Sequence, residues 1–368
     1  MEKIRGINLG NWLVLEKWMS PQLFSGTTAE DETDLCIQLR EEKYSRLKNH
    51  RDSYINYEDF VYIRDHGLNT VRLPVPHFIF DDCTPYTGCI EYLDKAFEWA
   101  EAAGLKILID LHTAPDSQNG FDNGGICGVC KWHTRPENIE CTLMVLEKLA
   151  ARYKGHPALY GIEMLNEPVS EELLMHTRKN YHPSDPIRAE GSCAVPLEVL
   201  FDFYTRGYNA IRHHLDEDKA VMFHDGFRLK VWKDFMQGTQ YKNVILDTHL
   251  YVGMGMGAEL PKGSKVDLVN YLQLALNKYA ENIAEMQEFF PVVVGEWCLA
   301  HYPTDMAKYT PLQKQYAYRT VADAQLFAWE KVAGWFFWSY KLLPDVPGWD
   351  LCECVKNGWF PANFETGQ

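Results

Sequence analysis

Short apolar runs alternate along the chain with segments whose apolar residues recur every three or four positions. The runs have the length of buried strands, and the segments between them have the period of amphipathic helices. The predicted strands are residues 4–9, 70–74, 106–111, 160–165, 220–224, 244–249, 292–295 and 334–339. Among the predicted helices, residues 266–289 follow Ser264, which stands three positions before Asp267 and predicts a capping box there.

Eight buried strands, each followed by a helical segment, predict an α/β fold of the (β/α)8 TIM barrel type. We expect a single domain over residues 1–368, because no linker or low-complexity stretch divides the chain. An open doubly wound sheet is the alternative, but no GxGxxG pattern follows the first strand. The long irregular segments at roughly 112–134, 166–196 and 250–265 all follow strand C-terminal ends, where such barrels build their active sites.

The composition is that of a globular protein with a sizeable core: 46% of residues are hydrophobic and 24% are charged. This balance excludes a disordered, collagen-like or coiled-coil chain. Acidic residues number 51 against 36 Lys and Arg, a formal net charge of −15. So negative a chain is not expected to bind nucleic acid or an anionic membrane through general electrostatics.

The start of the sequence, MEKIRGINLG, has neither the apolar core nor the cleavage site of a signal peptide. No apolar run is long enough to cross a bilayer as a helix. We therefore expect a cytoplasmic protein, or a secreted one if a signal has been removed. Nothing in the sequence indicates the oligomeric state.

Ten cysteines raise the question of disulfide bonds or a metal site. In a reducing cytoplasm the default is free thiols. Cys127 and Cys130, with His133 and Cys141 nearby, have a faint zinc-ligand spacing, but no second CxxC pair accompanies them. Free thiols, a local disulfide and a metal site all remain open for this segment.

Polar and charged residues follow the predicted strands at the point where each strand ends. They are Arg72, His112, Asn166, Glu167, His249, Tyr251, Glu296 and Trp338. Each has a structural explanation when taken alone, such as an internal ion pair for Arg72 or a buried hydrogen bond for His112. Six strand ends that converge on one rim of a barrel favour a functional site, because unrelated structural needs would scatter polar groups over both rims.

Two glutamates at the ends of different strands suit the hydrolysis of a glycosidic bond. One carboxyl group must protonate the leaving oxygen, which requires a raised pKa, while the other stays ionised and attacks the anomeric carbon. Carboxyl groups about 5–5.5 Å apart give retention through a covalent glycosyl-enzyme. Asn166 stands where it could bind the sugar 2-hydroxyl, and Trp338 offers a flat face to a pyranose ring.

Several motifs in order along the chain resemble those of one enzyme family. They are RGINLGNWLVLE at 5–16, VRLP at 71–74, DLH at 110–112, QNGFDN at 118–123, LNEP at 165–168, HLY at 249–251 and GEW at 295–297. The chain resembles family 5 of the glycoside hydrolases, and within it the exo-β-1,3-glucanase branch known from fungi, from residue 5 to about residue 350. The opening motif and the QNGFDN loop are the most specific to that branch.

The resemblance implies a role for each candidate site residue. Glu167 would be the acid/base and Glu296 the nucleophile, without a metal or other cofactor. Glu16 would close the far end of the site and make it a pocket, which removes one terminal sugar at a time. By the same resemblance, Arg72, Asn166 and Tyr251 would support the two glutamates, and His112 and His249 would line the subsite of the departing glucosyl. Asp122 and Asn123 would contact hydroxyls of the terminal sugar. Phe121 would stack on the next sugar, and Trp338 would be the platform.

The sequence also departs from the branch on the leaving-group side. After Tyr251 it reads VGMGM, without the aromatic residue that forms a second jaw in branch members, and we expect a flexible loop there. The leading prediction is a retaining exo-acting β-glucosidase or exo-β-1,3-glucanase whose partner is a β-glucan oligosaccharide or β-glucoside. The alternatives are a β-glucosidase or diglycosidase acting on plant, steryl or other aglycone glycosides, and a non-catalytic barrel that binds sugars.

Overall fold

Eight parallel strands close into a barrel in the computed structural model, which describes residues 2–81, 83–300 and 308–367, without the side chains of residues 257 and 258. The strands are β1 (Ile4–Asn8), β2 (Thr70–Val75), β3 (Lys106–Leu111), β4 (Leu159–Glu163), β5 (Ala220–His224), β6 (Val244–His249), β7 (Val292–Trp297) and β8 (Gly334–Phe337). Each strand pairs with the next, and β8 pairs with β1. All eight predicted strands and the (β/α)8 fold are confirmed; the single-domain extent 1–368 stays a prediction.

Helices connect the strands on the outside of the barrel. They are α1 (Glu32–Leu39), α2 (Glu42–Tyr54), α3 (Tyr57–Asp65), α4 (Ile90–Ala103), α5 (Pro136–Tyr153), α6 (Glu171–Thr177), α7 (Pro186–Ala189), α8 (Leu197–Arg212), α9 (Val252–Glu259), α10 (Leu268–Gln273), α11 (Ala280–Met286), α12 (Pro311–Trp329) and α13 (Leu351–Lys356). Short 3₁₀ turns occupy Pro21–Phe24, Asp122–Gly124, Trp132–Thr134 and Leu229–Trp232. Within the described part of the chain, none of these helices has the length and apolarity that crossing a membrane requires.

Two local predictions were wrong. The helical region at 266–289 begins at Leu268, because the side chain of Asp267 accepts a hydrogen bond from the backbone N–H of Asn270 and caps the helix; Ser264 lies in the preceding turn. A carboxylate is a strong cap at this end of the helix dipole. The VGMGM segment forms α9 instead of a loop, with Val252 and Met256 buried one turn apart.

Alternate strand residues fill the barrel interior in layers, as the two-residue period of a strand requires. The lowest layer is apolar and consists of Ile4, Leu108, Ala220, Met222, Ile245, Val293 and Phe336. Gly6 leaves room for the ring of Phe336, since a Cβ at this position would lie 2.2 Å from it. Two residues further along β3 and β6, Asp110 and Asp247 are charged, and with Arg72 on β2 and Glu163 on β4 they form the floor of the candidate site.

Candidate active site

Arg72 on β2 is the centre of a fully buried charged layer above the apolar one. Its guanidinium donates to Glu163 on β4 at 2.7 Å and to Asn8 on β1 at 3.0 Å, and it lies 3.1 Å from Asp110 on β3. A buried arginine is tolerated only when its charge is paired and its N–H groups are bonded. The sequence analysis missed Asp110, Glu163 and Asp247; an acidic residue inside an apolar strand run was the signal that could have found them.

Glu296 on β7 is held by this layer from below and by Tyr251 from the side. Nη1 of Arg72 donates to Oε1 of Glu296 at 2.9 Å, and the Tyr251 hydroxyl donates to Oε2 at 2.7 Å. Burial and the charge of Glu167 raise the pKa of Glu296, while the positive charges of His249 and Arg72 oppose that rise. The carboxyl group of Glu296 is therefore fixed in position by two donors on different oxygens.

His249 joins the two predicted glutamates. Its Nδ1 lies 2.7 Å from Oε1 of Glu167 and 3.4 Å from Oε2 of Glu296, which limits the separation of these two oxygens to about 6 Å. Its Nε2 lies 3.1 Å from Asp247. Burial lowers the pKa of His249, but the carboxylates of Glu296, Asp247 and Glu167 outweigh it and raise that pKa well above its usual value. The carboxylates on its two sides therefore favour the protonated form of the imidazole.

Glu167 follows β4 by four residues, in a loop and not in the strand, and has the left-handed backbone angle φ 46°. Such a conformation is uncommon outside glycine and occurs often at functional sites. Asn123 donates to Oε2 of Glu167 at 3.0 Å. Burial raises the pKa of Glu167, but the hydrogen bond and charge of His249, with the bond from Asn123, bring it below its ordinary value.

The directions of these pKa shifts reverse one expectation. The group expected to act as the acid, Glu167, has the lowered pKa, and the group expected to attack, Glu296, has the raised one. The reason is that His249 holds a proton 2.7 Å from Glu167, which the sequence alone could not show. The opposite directions of the two shifts therefore follow from the contact of Glu167 with His249.

Asn166, His112 and Trp338 form the wall beside Arg72. Oδ1 of Asn166 accepts from Arg72 at 2.9 Å, and its Nδ2 donates to Nε2 of His112 at 3.4 Å. Nδ1 of His112 donates to Asp110 at 2.5 Å, and the His112 ring stacks on Trp338 with the centroids 5.7 Å apart. The amide and the indole thus have fixed orientations that follow from the charged layer.

Glu16 lies at the other side of the site, in the loop after β1. Its Oε2 accepts from the indole of Trp18 at 2.8 Å, whereas Oε1 is buried without a hydrogen-bond partner among the described residues. Burial and the charge of Asp122 raise the pKa of Glu16 well above its usual value, and burial raises that of Asp122 to about 6. A buried, unsatisfied oxygen beside a second acid suits a ligand that brings several hydroxyl groups.

Two aromatic residues outside the predicted set, Trp18 and Tyr181, lie at the site. Trp18 bonds Glu16 and packs edge-on to Trp349, with ring centroids 5.2 Å apart, and Trp349 in turn lies 5.4 Å from Tyr251. Tyr181, from the long segment after β4, lies 5.0 Å from the ring of Phe121. Nothing in the sequence around Tyr181 distinguished it from other loop tyrosines.

The cysteine segment lies apart from this arrangement. Cys127 and Cys130 are free thiols, and Sγ of Cys193 lies 3.3 Å from Nε2 of His133. Among the described residues, the side-chain groups close enough to share a metal ion contain no cysteine. The disulfide and zinc alternatives for Cys127 and Cys130 therefore have no support in the structure.

The fold and the paired carboxyl groups define a barrel glycoside hydrolase. The model of the family "Cellulase (glycosyl hydrolase family 5)" matches residues 46–341. This chain belongs to glycosyl hydrolase family 5, which confirms the resemblance and the prediction of an enzyme.

Curated relatives match nearly the whole chain. A protein named "Probable glucan 1,3-beta-glucosidase A" from Aspergillus niger is 32% identical over 98% of this chain and 88% of its own length. A protein named "Glucan 1,3-beta-glucosidase" from Candida oleophila is 32% identical over 100% of this chain and 90% of its own length. Among solved structures, a rutinosidase from Aspergillus niger superposes with a TM-score of 0.78 at 19% sequence identity, over 98% of both chains. Thermotoga maritima Cel5A superposes with a TM-score of 0.55 at 17% sequence identity, over 95% of this chain and 92% of its own. The structural likenesses concern the fold alone.

Proposed function

We propose that this chain is a retaining, exo-acting β-glucosidase that releases glucose from the non-reducing ends of β-1,3-glucans or their oligosaccharides. The contact of both carboxyl groups with one nitrogen of His249 supports it most, at 2.7 Å for Glu167 and 3.4 Å for Glu296. Carboxyl groups within about 6 Å are closer than the roughly 6.5–9.5 Å that an inverting enzyme needs to seat its attacking water. Double displacement with retention follows from that spacing.

Glu296 is the nucleophile in this proposal. Arg72 and Tyr251 donate to its two oxygens and hold it in one orientation beneath the sugar. The positive charges of Arg72 and His249 favour its ionised form against the effect of burial. In the first step its oxygen bonds to the anomeric carbon as the bond to the leaving oxygen breaks, and in the second step water displaces it.

Glu167 is the acid/base, and His249 is the group that supplies its proton. Transfer from Nδ1 of His249 to Oε1 of Glu167, over 2.7 Å, leaves a neutral imidazole and a protonated carboxyl group. Glu167 then gives this proton to the leaving oxygen and, as a carboxylate, takes one from the attacking water. Activity should follow a bell-shaped pH profile whose limbs belong to the coupled group and not to either glutamate alone.

The exo mode rests on the closed end of the site. Glu16 is buried and Asp122 is half-buried near it, and an unsatisfied oxygen of Glu16 is available to a sugar hydroxyl. Asn123 also faces this side through its bond to Glu167. An end wall of polar side chains stops a longer chain from passing through, so one terminal glucose is bound, with Asn166 and His112 at its hydroxyls and Trp338 as its platform.

The β-1,3 linkage is proposed from the names of the curated relatives. The second candidate, a β-glucosidase or diglycosidase acting on aglycone glycosides, is favoured by α9, which follows Tyr251 and carries no aromatic residue. That element would otherwise supply the second jaw at the leaving group. The cytoplasmic location, or secretion if a signal has been removed, also remains part of the proposal.

A product time course on β-1,3-linked glucose oligomers of increasing length tests the function. We expect glucose as the first product from every length, released as the β-anomer when followed by NMR. Intermediate-length oligomers as first products would contradict the exo mode, and an α-anomer would contradict retention. Turnover of aryl or diglycosidic substrates without turnover of the oligomers would favour the second candidate.

A further inference from the structure

His224, the last residue of β5, lies beside the proposed acid/base pair and has no role in the mechanism given above. Its side chain is fully buried, and its ring stands at 79° to the ring of His249, with the centroids 4.4 Å apart. One of its ring nitrogens lies within 4.8 Å of a carboxylate oxygen of Glu167 and of a ring nitrogen of His249. His224 is therefore a direct neighbour of the group that supplies the proton in the proposed mechanism.

The backbone fixes both the tautomer and the orientation of the His224 ring. Nδ1 accepts a hydrogen bond from the backbone N–H of Gly226 at 2.9 Å, so the proton of the neutral imidazole must be on Nε2. The hydroxyl of Tyr204 on α8 donates to the carbonyl of His224 at 2.9 Å and anchors the end of the strand. The ring is thus held in one position against His249.

His224 is a neutral ring in charged surroundings. Burial lowers its pKa well below the usual value, and the positive charges of His249 and Arg72 lower it further. Protonation would also place an N–H on Nδ1, where the backbone N–H of Gly226 already donates. The ring can therefore pack against His249 without adding a like charge beside it.

The hydrogen bond that orients the ring leaves its other nitrogen unpaired. Nε2 of His224 is buried and has no hydrogen-bond partner among the described residues. A buried N–H without a partner destabilises a folded protein, and a side chain that only filled this space would not carry that penalty. The arrangement is explained if the orientation of the ring matters to its neighbour His249.

We propose that His224 is a positioning residue whose ring, oriented by the hydrogen bond from Gly226, holds the imidazole of His249 in contact with Glu167 and Asp247. The inference rests on the proposed function, because it assumes that Glu167 passes a proton from His249 to the leaving oxygen. His224 does not contact the sugar in this proposal, since its side chain is fully buried. Its loss should therefore affect substrates according to their need for a proton.

The test compares kcat/KM for a β-1,3-linked glucose dimer with kcat/KM for an activated aryl β-glucoside, because only the dimer needs a proton on its leaving oxygen. His224→Asn removes the ring but keeps an oxygen that can accept from Gly226. We expect its dimer-to-aryl ratio to fall about tenfold, a part of the roughly 10²–10⁴ that general acid catalysis contributes. His224→Phe keeps a ring beside His249 but not the hydrogen bond from Gly226, so its ratio should fall less.

His50→Asn is the matched control. His50 on α2 is also a buried histidine with a lowered pKa, and its ring packs on another ring, that of Tyr54. The dimer-to-aryl ratio of this variant should equal that of the wild type. Because the ratio is taken within one protein, a smaller folded fraction does not change it.

Three results would overturn the inference and leave the proposed function intact. They are an unchanged ratio for His224→Asn, a fall of equal size for His224→Phe, and a fall of equal size for the control His50→Asn. A wild-type protein that releases glucose from neither substrate would instead overturn the proposed function itself.

Discussion

At the scale of single residues, the site depends on the placement of one proton. His249 lies between two carboxyl groups and a third, Asp247, so its protonated form is strongly favoured. The same proton lowers the pKa of Glu167 and partly offsets the rise at Glu296. In the proposed mechanism, Glu167 would therefore be ionised before substrate binds and would take its proton from the imidazole.

Removal of the Glu167 side chain should affect substrates according to their leaving group. For Glu167→Ala we expect kcat/KM on β-1,3-oligomers to fall by about 10²–10⁴, since their leaving oxygen needs protonation. The first step on an activated aryl β-glucoside, which leaves without a proton, should fall far less. Steady-state and burst kinetics on both substrates measure the difference. Glu296→Ala is the comparison, as it should abolish turnover of both; equal losses for Glu167→Ala would remove its assignment as the acid/base.

At the scale of elements, the barrel strands could be predicted from the sequence and the contacts between them could not. Apolar runs and their spacing were sufficient for all eight strands, because burial on both faces leaves a continuous apolar pattern. Which charged residues meet across the barrel depends on strand register, and register placed Asp110, Glu163 and Asp247 around Arg72 and His249. The same limit applies to α9, whose glycines indicated a loop although Val252 and Met256 are buried in tertiary contacts.

Helix α1 carries a buried carboxyl group whose ionisation should make stability depend on pH. Glu32 is fully buried 3.7 Å from Arg51, and burial raises its pKa from the ordinary value to about 7. The folded protein therefore keeps a proton that the unfolded chain releases, so this group lowers the free energy of unfolding as pH rises from about 4.5 to about 7. The Glu32→Gln variant has no ionisable group at this position, so it should not lose free energy of unfolding over this pH range.

Urea unfolding at pH 5 and pH 8 measures the effect. The difference in the free energy of unfolding between Glu32→Gln and the wild type should shift in favour of the variant by up to about 3 kcal/mol between pH 5 and pH 8. This shift does not depend on the absolute stability of the variant. The exposed neighbour Glu30, which forms a surface ion pair with Lys17, supplies the control: the free energy of unfolding of Glu30→Gln should differ from that of the wild type by less than about 0.5 kcal/mol at either pH. A pH-independent difference for Glu32→Gln would mean that Glu32 is ionised at pH 5 in the folded protein.

At the scale of the whole molecule, the site is assembled from segments far apart in the chain. Glu16 and Trp18 come from the loop after β1, Asp122 from the loop after β3, and Trp349 from the region after β8. Motifs that resemble the family identified Glu16 and Asp122, because they stand in recognisable patterns. Trp18 and Tyr181 have no such pattern around them, and only the packing of loops against one another brings them to the site.

This assembly makes a specific prediction about Glu16. In the proposed function its buried carboxyl group closes the pocket, and among the described residues the Trp18 indole is the one group that donates to it, through Oε2. In Glu16→Ala the terminal sugar loses a partner for its hydroxyls, so KM for β-1,3-oligomers should rise about tenfold, the loss of one hydrogen bond in a buried site. Because Arg72, Tyr251 and His249 still hold the carboxyl groups of Glu296 and Glu167, the proposed catalytic pair, kcat on an activated aryl β-glucoside should stay within a few-fold of the wild type.

Trp18→Phe separates recognition from packing. It removes the indole N–H that bonds Glu16 but keeps an aromatic ring against Trp349, so it should raise KM less than Glu16→Ala does. First products from longer oligomers, followed by mass, report whether the end wall still holds: internal cleavage should appear with Glu16→Ala and remain absent with Trp18→Phe. If Glu16→Ala leaves KM unchanged and still yields only glucose, then the end of the pocket is closed by other groups, and the exo mode has to be explained without this carboxylate.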